Sequence, residues 1–449
     1  MCLVAFVWTG VATGAAEQEL TIQMSDGVSL ACGLVEPSGA PPAGGWPGLL
    51  LFHGNGQTHA QMETIASLAF APAGYVSLAC DPRGEGASGG TFGLDGPRDV
   101  QDVRELFDWL AARPDVSDTQ IAALGLSLGG GLVWQAAAAG VPFKAIVPAI
   151  TWTNLDAALA PRGVVRTGLI PVLAQDVPLS RWDPSLAAIK DSLAGGNVTA
   201  AFTVAAAARS VRSSLGSLTV PTLMLQGRHD FLFDLDQALS AYRLLHGPKE
   251  LYIGDLGHAP ATNPPAEQLT YVGVVLAWLN HYVRGVGAAP HGVVLGHDPW
   301  DGTVTTYKSL PGTRAASVML PGATTLHAAS QGVRSVRLTG GPEETFGGGT
   351  VRVRYSGAQS WTRLVATVSV AGNSTPVTVG AVDIAKAAGA ATIHLLDECV
   401  LLPRGKRLVV TLGATSTTGL YTGDIPAGAQ ITIGRVALTL SLLRRAVSH

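Results

Sequence analysis

The chain has 449 residues, which is more than one ordinary domain needs and enough for two. Hydrophobic residues make up 47% of it, charged residues make up 14%, and the formal net charge is −3. This composition excludes an intrinsically disordered chain and a strongly basic nucleic-acid-binding surface. We therefore expect a globular protein that does not bind nucleic acid.

The first residues, MCLVAFVWTGVATGAAEQ, are apolar and then small. They resemble the end of a secretory signal with cleavage near Ala16, although no Lys or Arg precedes Arg83 to form a basic n-region. We treat residues 1–16 as a candidate signal segment and expect a secreted or cell-envelope protein, with a cytoplasmic location as the alternative. No other stretch has the roughly 18 uninterrupted apolar residues of a membrane span, so no transmembrane segment is expected.

The first half of the chain alternates between strand-like and helix-like patterns. Residues 18–36 alternate around Asp26-Gly27 and predict a β-hairpin. Continuous apolar runs then predict buried strands, and apolar residues at helical spacing predict helices. The predicted strands are 48–54, 75–81, 120–127, 143–150, 219–227 and 249–255, and the predicted helices are 60–72, 96–114, 128–139, 235–245 and 265–284. This alternation is typical of an α/β fold, a mostly parallel sheet with helices on both faces.

Residues 151–218 interrupt this alternation between two predicted core strands. The segment contains several short helical patterns and the prolines Pro161, Pro171, Pro178 and Pro184. An insertion of this length, at the sheet edge where ligands bind, predicts a helical cap.

The pattern changes again after residue 285. Residues 285–302 are typical of a linker, and from residue 315 onward short alternating runs are separated by Gly, Ser and Thr. Such runs predict an all-β sandwich or jelly roll. We therefore divide the chain into an α/β domain over residues 17–285, which includes the cap, and a β-sandwich domain over residues 286–449.

The four cysteines show neither a CxxC motif nor metal-ligand spacing. They are Cys2, Cys32, Cys80 and Cys399. Cys32 and Cys80 are the first pair to test for a disulfide, because both lie in predicted strands of the first domain. Buried free thiols are the simpler expectation.

Residues Gly125-Leu126-Ser127-Leu128-Gly129 lie between a predicted strand and a predicted helix. Gly-x-Ser-x-Gly at such a junction is the nucleophile-elbow pattern, in which the glycines permit a sharp turn and the serine hydroxyl stands above the sheet edge. The alternative is a glycine-rich packing turn. As a nucleophile, Ser127 needs a base, and the base needs an orienting acid.

An acid and then a histidine should follow the serine in this chain order. Asp230 and His258 fit, because each comes shortly after a predicted buried strand, at the edge where parallel sheets build their sites. The competing candidates are the acids Asp234, Asp236 and Asp255 and the histidine His229. Asp230 lies nearest to a strand end. Because His229 is adjacent to Asp230, we interpret His229 as a turn residue and not as the base.

The loop His53-Gly54-Asn55-Gly56 follows an early strand, where the second oxyanion donor is expected. We predict that the N–H groups of Asn55 and Leu128 form the oxyanion hole. We expect His53 to form a hydrogen bond within its own loop, and we consider that the side chain of Gln57 reaches the site. The candidate substrate-pocket residues, for which packing inside the cap is the alternative role, are Trp152, Trp182 and Phe202.

These residues, in this order, resemble the α/β-hydrolase superfamily. DPRGEGASGG (81–90) resembles the Asp-x-Arg-Gly-x-Gly-x-Ser-x-Gly segment of the cocaine-esterase and Xaa-Pro dipeptidyl-peptidase family. The runs SVRLTGGP, TRLVATVSVAG and GKRLVVTLG are similar to that family's C-terminal jelly roll, a galactose-binding-like domain. The resemblance covers most of residues 18–440. It implies Ser127, Asp230 and His258 as a catalytic triad, and it implies hydrolysis of an ester or amide bond.

Arg83 belongs to the DPRGEG part of the same segment. A guanidinium carries five N–H donors and can satisfy several carbonyl groups at once. We therefore expect Arg83 to have a structural role, in which it donates to carbonyls of its own loop.

Two departures from that family favour an ester substrate. The family commonly places a tyrosine hydroxyl in the oxyanion hole, whereas HGNGQT contains no tyrosine. Peptidase members need acidic residues for a free amino end, whereas the predicted cap is apolar with scattered acids, namely Asp156, Asp176, Asp183 and Asp191. We predict a serine esterase that forms an acyl-enzyme on small-molecule or polymer esters and needs no metal or organic cofactor. The alternatives are an Xaa-Pro dipeptidyl-peptidase-like peptidase or amide acylase, and a carbohydrate- or polymer-binding protein whose hydrolase domain is inert.

Overall fold

The computed structural model describes residues 15–328, 330–423 and 425–444. The strands are β1 Ala16–Gln23, β2 Ser29–Glu36, β3 Trp46–Phe52, β4 Val76–Cys80, β5 Val116–Leu126, β6 Ile146–Ala149, β7 Thr222–Gly227, β8 Lys249–Gly254, β9 Gly292–Gly296, β10 Val304–Tyr307, β11 Thr313–Leu320, β12 Thr324–His327, β13 Gly332–Arg337, β14 Glu343–Gln359, β15 Arg363–Val370, β16 Pro376–Asp383, β17 Gly389–His394, β18 Leu401–Leu402, β19 Arg407–Gly413 and β20 Gln430–Leu443. The α-helices are α1 His59–Ile65, α2 Pro97–Ala111, α3 Leu128–Ala138, α4 Leu155–Leu159, α5 Leu169–Ala174, α6 Pro184–Ala194, α7 Ala200–Ala207, α8 Leu235–Leu244 and α9 Pro265–Tyr282. A π-helical turn at Ala66–Phe70 continues α1. The candidate signal segment lies, except for its last two residues, outside the described residues.

Ten strands form one mixed sheet in the order β1-β2-β4-β3-β5-β6-β7-β8-β9-β10. The pairs from β4 through β9 are parallel, and the hairpins at the two edges are antiparallel. One apolar cluster includes side chains of α2, α3 and α8, and another includes side chains of α1 and α9. The predicted mostly parallel sheet with helices on both faces is confirmed. Within the described residues, no helix combines the length and the apolar composition needed to cross a membrane.

The sheet continues into the segment that the sequence predicted as a linker. β9 pairs in parallel with β8, and all five of its residues are buried. The linker prediction is therefore wrong for Gly292–Gly296, because three apolar residues between two glycines are too few to show a periodic pattern. The predicted boundary at residues 285 and 286 precedes two strands of this sheet, so we place the proposed domain boundary after Tyr307.

The remaining strands form two antiparallel sheets that pack face to face. One has the order β11-β20-β14-β17, with β12 paired to β20 and β18 paired to β14, and the other has the order β13-β19-β15-β16. Side chains from both sheets share one apolar core, for example Val351 of β14, Val368 of β15 and Val410 of β19. The predicted all-β C-terminal domain is confirmed.

The segment predicted as a cap, residues 151–218, contains α4, α5, α6 and α7. Apolar side chains of these helices form a cluster with Leu128 at the start of α3 and with Phe233 in the loop after β7. The segment therefore packs against the carboxyl edge of the parallel strands, although its role as a cap stays a proposal.

Cys32 and Cys80 form a disulfide. They lie directly opposite each other on the antiparallel strands β2 and β4. The expectation of free thiols is therefore wrong for this pair, because strand register, which a separation of 48 residues does not reveal, makes the two cysteines neighbours. Cys399 is a buried free thiol, and Cys2 lies outside the described residues.

Arg83 has structural partners, but they are carboxylates and not the expected loop carbonyls. Its Nε and Nη2 atoms donate to the two carboxylate oxygens of Asp102, at 2.5 Å and 2.7 Å. Its Nη1 lies 3.1 Å from Asp26. The expected partners are wrong because α2 and the β1–β2 turn bring two acids to the guanidinium. Arg83 thus connects the first hairpin to α2.

Candidate active site

Ser127 occupies a tight turn between β5, which ends at Leu126, and α3, which begins at Leu128. Its backbone has φ 54° and ψ −114°, a conformation that non-glycine residues rarely adopt and that is concentrated at functional sites. A β-carbon on Gly125 would lie 2.0 Å from the Gly129 carbonyl oxygen, and one on Gly129 would lie 2.3 Å from the Phe52 carbonyl oxygen. The close backbone contacts therefore require both glycines of the motif.

The hydroxyl of Ser127 lies beside the imidazole of His258. The Oγ–Nε2 distance is 2.8 Å. His258 follows β8, is 3% exposed, and has the ring of Phe233 packed edge-on at 5.2 Å. This contact allows the imidazole to accept the proton of the hydroxyl.

Asp230 lies on the other side of that imidazole and is fully buried. Its Oδ2 is 2.8 Å from His258 Nδ1 and accepts the His258 backbone N–H at 3.0 Å. Its Oδ1 accepts the N–H groups of Leu232 and Phe233, at 2.9 Å and 3.0 Å. When Nδ1–H donates to Asp230, the Nε2 lone pair is left facing Ser127.

The competing acids and the rival histidine have other partners. The acids and their partners are Asp234 with Arg166, Asp236 with Arg212, and Asp255 with Thr262. His229 packs edge-on against Phe231, and burial lowers the pKa of its imidazole to about 4. The structure thus brings Asp230 and His258 together with Ser127 and does not bring these four there.

The two predicted oxyanion donors lie at the same opening. Asn55 and Leu128 both line the cavity that Ser127 faces. Within residues 15–328, 330–423 and 425–444, neither backbone N–H donates to another protein atom. Leu128 is also the first residue of α3, where the positive end of the helix dipole favours negative charge.

The loop that carries Asn55 is held by side chains on both sides. His53 Nδ1 lies 2.8 Å from the Gly54 carbonyl, so the predicted hydrogen bond within the loop is confirmed. Gln57 lines a small cavity with Ser127, and its Oε1 accepts the Gly54 N–H at 3.0 Å. The side chain of Asn55 donates to the Leu173 carbonyl at 3.1 Å, which connects this loop to α5.

A cavity of about 100 Å³ lies between Ser127 and the cap segment. All three predicted pocket residues line it, namely Trp152, Trp182 and Phe202. The other lining side chains are mostly apolar, and the charged ones among the described residues are Lys190 and Arg209. The Arg209 guanidinium donates to the carbonyls of Gly93 and Ala205. No carboxylate side chain lines this cavity in the described part of the chain, so its chemistry suits an apolar group.

Leu232 and Phe233 were not predicted from the sequence as site residues. Both line the cavity, and their N–H groups hold Asp230. The signal that could have identified them is the apolar run Phe231-Leu232-Phe233, which follows the acid directly at a strand end.

Residues 26–260, just over half of the chain, match the family model described as X-Pro dipeptidyl-peptidase (S15 family). A curated relative, a polyketide transferase from Gibberella fujikuroi (strain CBS 195.34 / IMI 58289 / NRRL A-6831), is 33% identical over 107 residues, which is 21% of this chain and 33% of that protein. The chain thus matches a third of that relative's length.

Solved structures resemble the whole fold, including the C-terminal sandwich. A CocE/NonD family hydrolase from Staphylococcus aureus has a TM-score of 0.71 at 14% identity and covers 96% of this chain and 94% of its own. An aminopeptidase from the marine sediment archaeon Thaumarchaeota archaeon has a TM-score of 0.72 at 14% identity, and an α-amino acid ester hydrolase has 0.71 at 16% identity. Each of these two structural matches covers 98% of this chain and 98% of the neighbour's chain. The family match spans the Ser127 turn, Asp230 and His258, and the chain therefore belongs to the X-Pro dipeptidyl-peptidase (S15) family and has the α/β-hydrolase fold.

Proposed function

We propose that this protein is a serine esterase that cleaves carboxylic esters with an apolar acyl group through an acyl-enzyme. The observation that carries the proposal is the 2.8 Å contact between Ser127 Oγ and His258 Nε2. The Asp230 carboxylate behind His258 supports it, because a buried acid at Nδ1 stabilises the imidazolium that forms when the serine loses its proton.

In the proposed reaction, Ser127 Oγ attacks the ester carbonyl carbon while His258 Nε2 takes the hydroxyl proton. The N–H groups of Asn55 and Leu128 donate to the developing oxyanion, and each such donor is worth about 3 kcal/mol of transition-state stabilisation. His258 then gives its proton to the leaving alcohol, which departs and leaves the acyl group on Ser127. A water molecule, deprotonated by His258, cleaves that acyl-enzyme and regenerates the free hydroxyl.

The cavity favours an ester over a peptide with a free amino end. Recognition of an ammonium group calls for carboxylates in the pocket, whereas the charged side chains of this cavity are those of Lys190 and Arg209. The carboxylate of Asp176, which lines the adjoining small cavity with Ser127, accepts from the Asn55 side chain at 3.1 Å. The apolar rings of Trp152, Trp182 and Phe202 suit an aliphatic or aromatic acyl group.

The test compares Ser127→Ala with the wild type on p-nitrophenyl acyl esters, an Ala-Pro p-nitroanilide and a simple acyl anilide. We expect wild-type kcat/KM to be highest on the esters. We expect Ser127→Ala to lose about 10⁴-fold or more of kcat, because the nucleophile and its base act as a unit.

The matched control is Ser117→Ala, which changes a serine at the opposite end of β5 and should keep wild-type rates. Full ester turnover by Ser127→Ala would remove the serine mechanism. Preference for the Ala-Pro anilide would favour the peptidase alternative, and binding to a glycan array by an otherwise inert protein would favour the binding-protein alternative.

We also propose that the protein works in an oxidising compartment, outside the cytoplasm. The Cys32–Cys80 disulfide supports this location, because such bonds persist mainly in secreted and envelope proteins. Fractionation of the native cells tests it: the protein should be found in the envelope or culture medium, and recovery in the cytoplasm with reduced thiols would contradict it.

A further inference from the structure

Three side chains of the kind that ligate metal ions meet where β1 lies against α1. Glu19 comes from β1, and His59 and Glu63 come from α1. One donor atom from each lies within 4.8 Å of the others. His59 and Glu63 are four residues apart, so they share one face of the helix. None of these residues takes part in the proposed reaction.

The distances in this cluster are close to those of a zinc site. His59 Nε2 is 3.1 Å from Glu19 Oε2 and 3.9 Å from Glu63 Oε2. Zinc bonds of roughly 2.0–2.1 Å to nitrogen and oxygen, at a tetrahedral angle, separate the ligand atoms by about 3.3 Å. The two distances to His59 lie on either side of that value, and a carboxylate oxygen of Glu19 lies within 4.8 Å of one of Glu63, so metal binding would require side-chain rotations that bring the two carboxylates closer.

Negative charge exceeds positive charge around this point. The carboxylates are Glu17, Glu19, Glu63 and Asp81, and no Lys or Arg in the described part of the chain forms an ion pair with any of them. The positive charge available from side chains in contact with the group is that of His59 and, at Asp81, of His53. Water screens His59 and Glu63 poorly, since His59 is 8% exposed and the Glu63 side chain is 13% exposed, whereas the Glu19 side chain is 76% exposed and reaches the cluster from the solvent side. A divalent cation would supply the missing charge.

We propose that Glu19, His59 and Glu63 form a binding site for a divalent transition metal, with Zn²⁺ as the preferred ion, which fastens the edge strand β1 to α1. Imidazole nitrogen and carboxylate oxygen are donors that Zn²⁺ accepts, and water completes the coordination. The Asp81 carboxylate lies 2.9 Å from His59 Nδ1, on the side of the ring opposite to Nε2, and accepts the His59 backbone N–H at 2.6 Å. The ion stabilises the fold and has no part in the ester hydrolysis, for which we expect no metal.

The test uses tag-free protein that has been treated with EDTA and transferred to chelator-free buffer. Titration calorimetry with ZnCl₂ should show one saturable site per chain, and thermal unfolding should shift to higher temperature with Zn²⁺, because an ion that binds the folded state stabilises it. Glu19→Gln and Glu63→Gln should each weaken Zn²⁺ binding by at least about tenfold and reduce that shift.

The matched control is Glu17→Gln, which removes a negative charge from the same strand but not one of the three donors, since Glu17 accepts from Ser67. It should change the Zn²⁺ affinity by less than about threefold if ligation, rather than general charge, holds the ion. Equal losses for Glu17→Gln and Glu63→Gln would overturn the proposal, as would a wild type without saturable binding.

Crystals of the wild type soaked in ZnCl₂ give a second measurement, which does not depend on whether the variants fold. Anomalous scattering at the zinc edge should place the ion roughly 2.0–2.2 Å from a donor atom of each of the three residues. A zinc peak elsewhere, with none at this cluster, would overturn the proposal.

Discussion

Asp230 is fixed by the main chain as well as by His258. Its carboxylate accepts backbone N–H groups from Leu232, Phe233 and His258. At Gly257, with φ of +116°, an added β-carbon would lie 2.4 Å from Asp230 Oδ2. The backbone therefore approaches the acid closely from two loops, and this contact holds the imidazole at a constant orientation toward Ser127.

The buried carboxyl of Glu85 should make the free energy of unfolding depend on pH. It is 3% exposed, its Oε2 has no hydrogen-bond partner among the described residues, and burial raises the pKa of its carboxyl from 4.5 to about 8. The folded state thus favours the protonated acid. The contribution of Glu85 to stability is full below pH 4.5 and is lost as the pH rises through 8.

Between pH 4.5 and about pH 8, Glu85 should lower the free energy of unfolding by up to about 1.4 kcal/mol for each pH unit. We expect Glu85→Gln to remove this decline. Urea unfolding at a series of pH values measures this slope. Glu343→Gln, which alters a partly exposed glutamate of the β-sandwich, is the control and should leave the slope unchanged. An unchanged slope in Glu85→Gln would show that Glu85 does not titrate in this range.

At the residue scale, the sequence predicts which three groups come together, because each lies at the carboxyl end of a strand in a parallel sheet. It does not predict the partners of Arg83, since Asp26 and Asp102 reach the guanidinium only through the packing of a turn and a helix. Leu232 and Phe233 were missed for a related reason, since their role depends on backbone N–H direction.

The disulfide connects two elements of the first domain, the hairpin strand β2 and the neighbouring strand β4, where the parallel part of the sheet begins. Closing a loop between Cys32 and Cys80, 48 residues apart, restricts the unfolded chain and is worth up to about 4 kcal/mol. We expect the double variant Cys32→Ser and Cys80→Ser to lower the thermal midpoint of unfolding. A reductant should lower the midpoint of the wild type by a similar amount.

The double variant provides its own control, because its midpoint should not respond to reductant. Cys399→Ser should leave the reductant effect intact, since Cys399 is free. A wild-type midpoint that does not change when mass spectrometry shows full reduction would contradict a stabilising role for this bond.

Trp182 in the cap segment provides a test of the acyl preference. Trp182 lines the cavity, its Nε1 donates to the Val177 carbonyl at 3.0 Å, and its ring packs on Phe92 at a centroid distance of 5.1 Å. Removing the indole enlarges the space next to Ser127. We expect Trp182→Ala to raise the ratio of kcat/KM for octanoyl over acetyl p-nitrophenyl esters by about tenfold, since room for one further methylene group in an apolar pocket is worth about 1–3 kcal/mol.

The control for this series is Leu179→Ala, a neighbouring residue of the cap segment that is 53% exposed and does not line the cavity. It should keep the wild-type ratio. If Trp182→Ala also keeps it, the cavity beneath the cap segment does not hold the acyl group.

At the element scale, the sequence predicts the strands and helices of the parallel sheet, because their apolar runs are long and regularly spaced. It misses β9, which pairs with β8, and β10, which pairs with β9. Pairing of this kind is decided by tertiary contacts, which local patterns do not contain.

The two domains share a buried arginine. Arg228, 2% exposed and two residues before Asp230, donates from Nε to the Cys399 carbonyl at 2.9 Å and from Nη1 to the Gly296 carbonyl at 2.7 Å. Its Nη2 pairs with Glu344 of β14. Asp230 therefore lies beside a contact between the first sheet and the sandwich, so we expect removal of the sandwich to disturb the site.

We expect Arg228→Met to destabilise the protein by about 3–5 kcal/mol, because it leaves the Glu344 carboxylate and two carbonyls without their partner. Guanidinium unfolding followed by tryptophan fluorescence measures the midpoint. Arg314→Met removes the exposed pair Arg314–Glu343 and should cost at most about 1 kcal/mol. Equal effects of the two variants would contradict a stabilising contact between the domains at Arg228.

At the scale of the whole molecule, the sequence predicts two domains because the pattern changes from alternating strands and helices to short strands alone. It does not predict how they meet, since Arg228 and Glu344 are far apart in the chain and only the fold makes them neighbours.

The most direct test of the central claim, that Ser127 is the nucleophile, is covalent labelling with a p-nitrophenyl alkylphosphonate followed by peptide mass spectrometry. We predict one adduct per chain on Ser127, formed at the rate at which ester hydrolysis is lost, and no adduct on Ser127→Ala. A phosphonate on another residue that abolishes activity, or unlabelled Ser127 in inactivated enzyme, would contradict it.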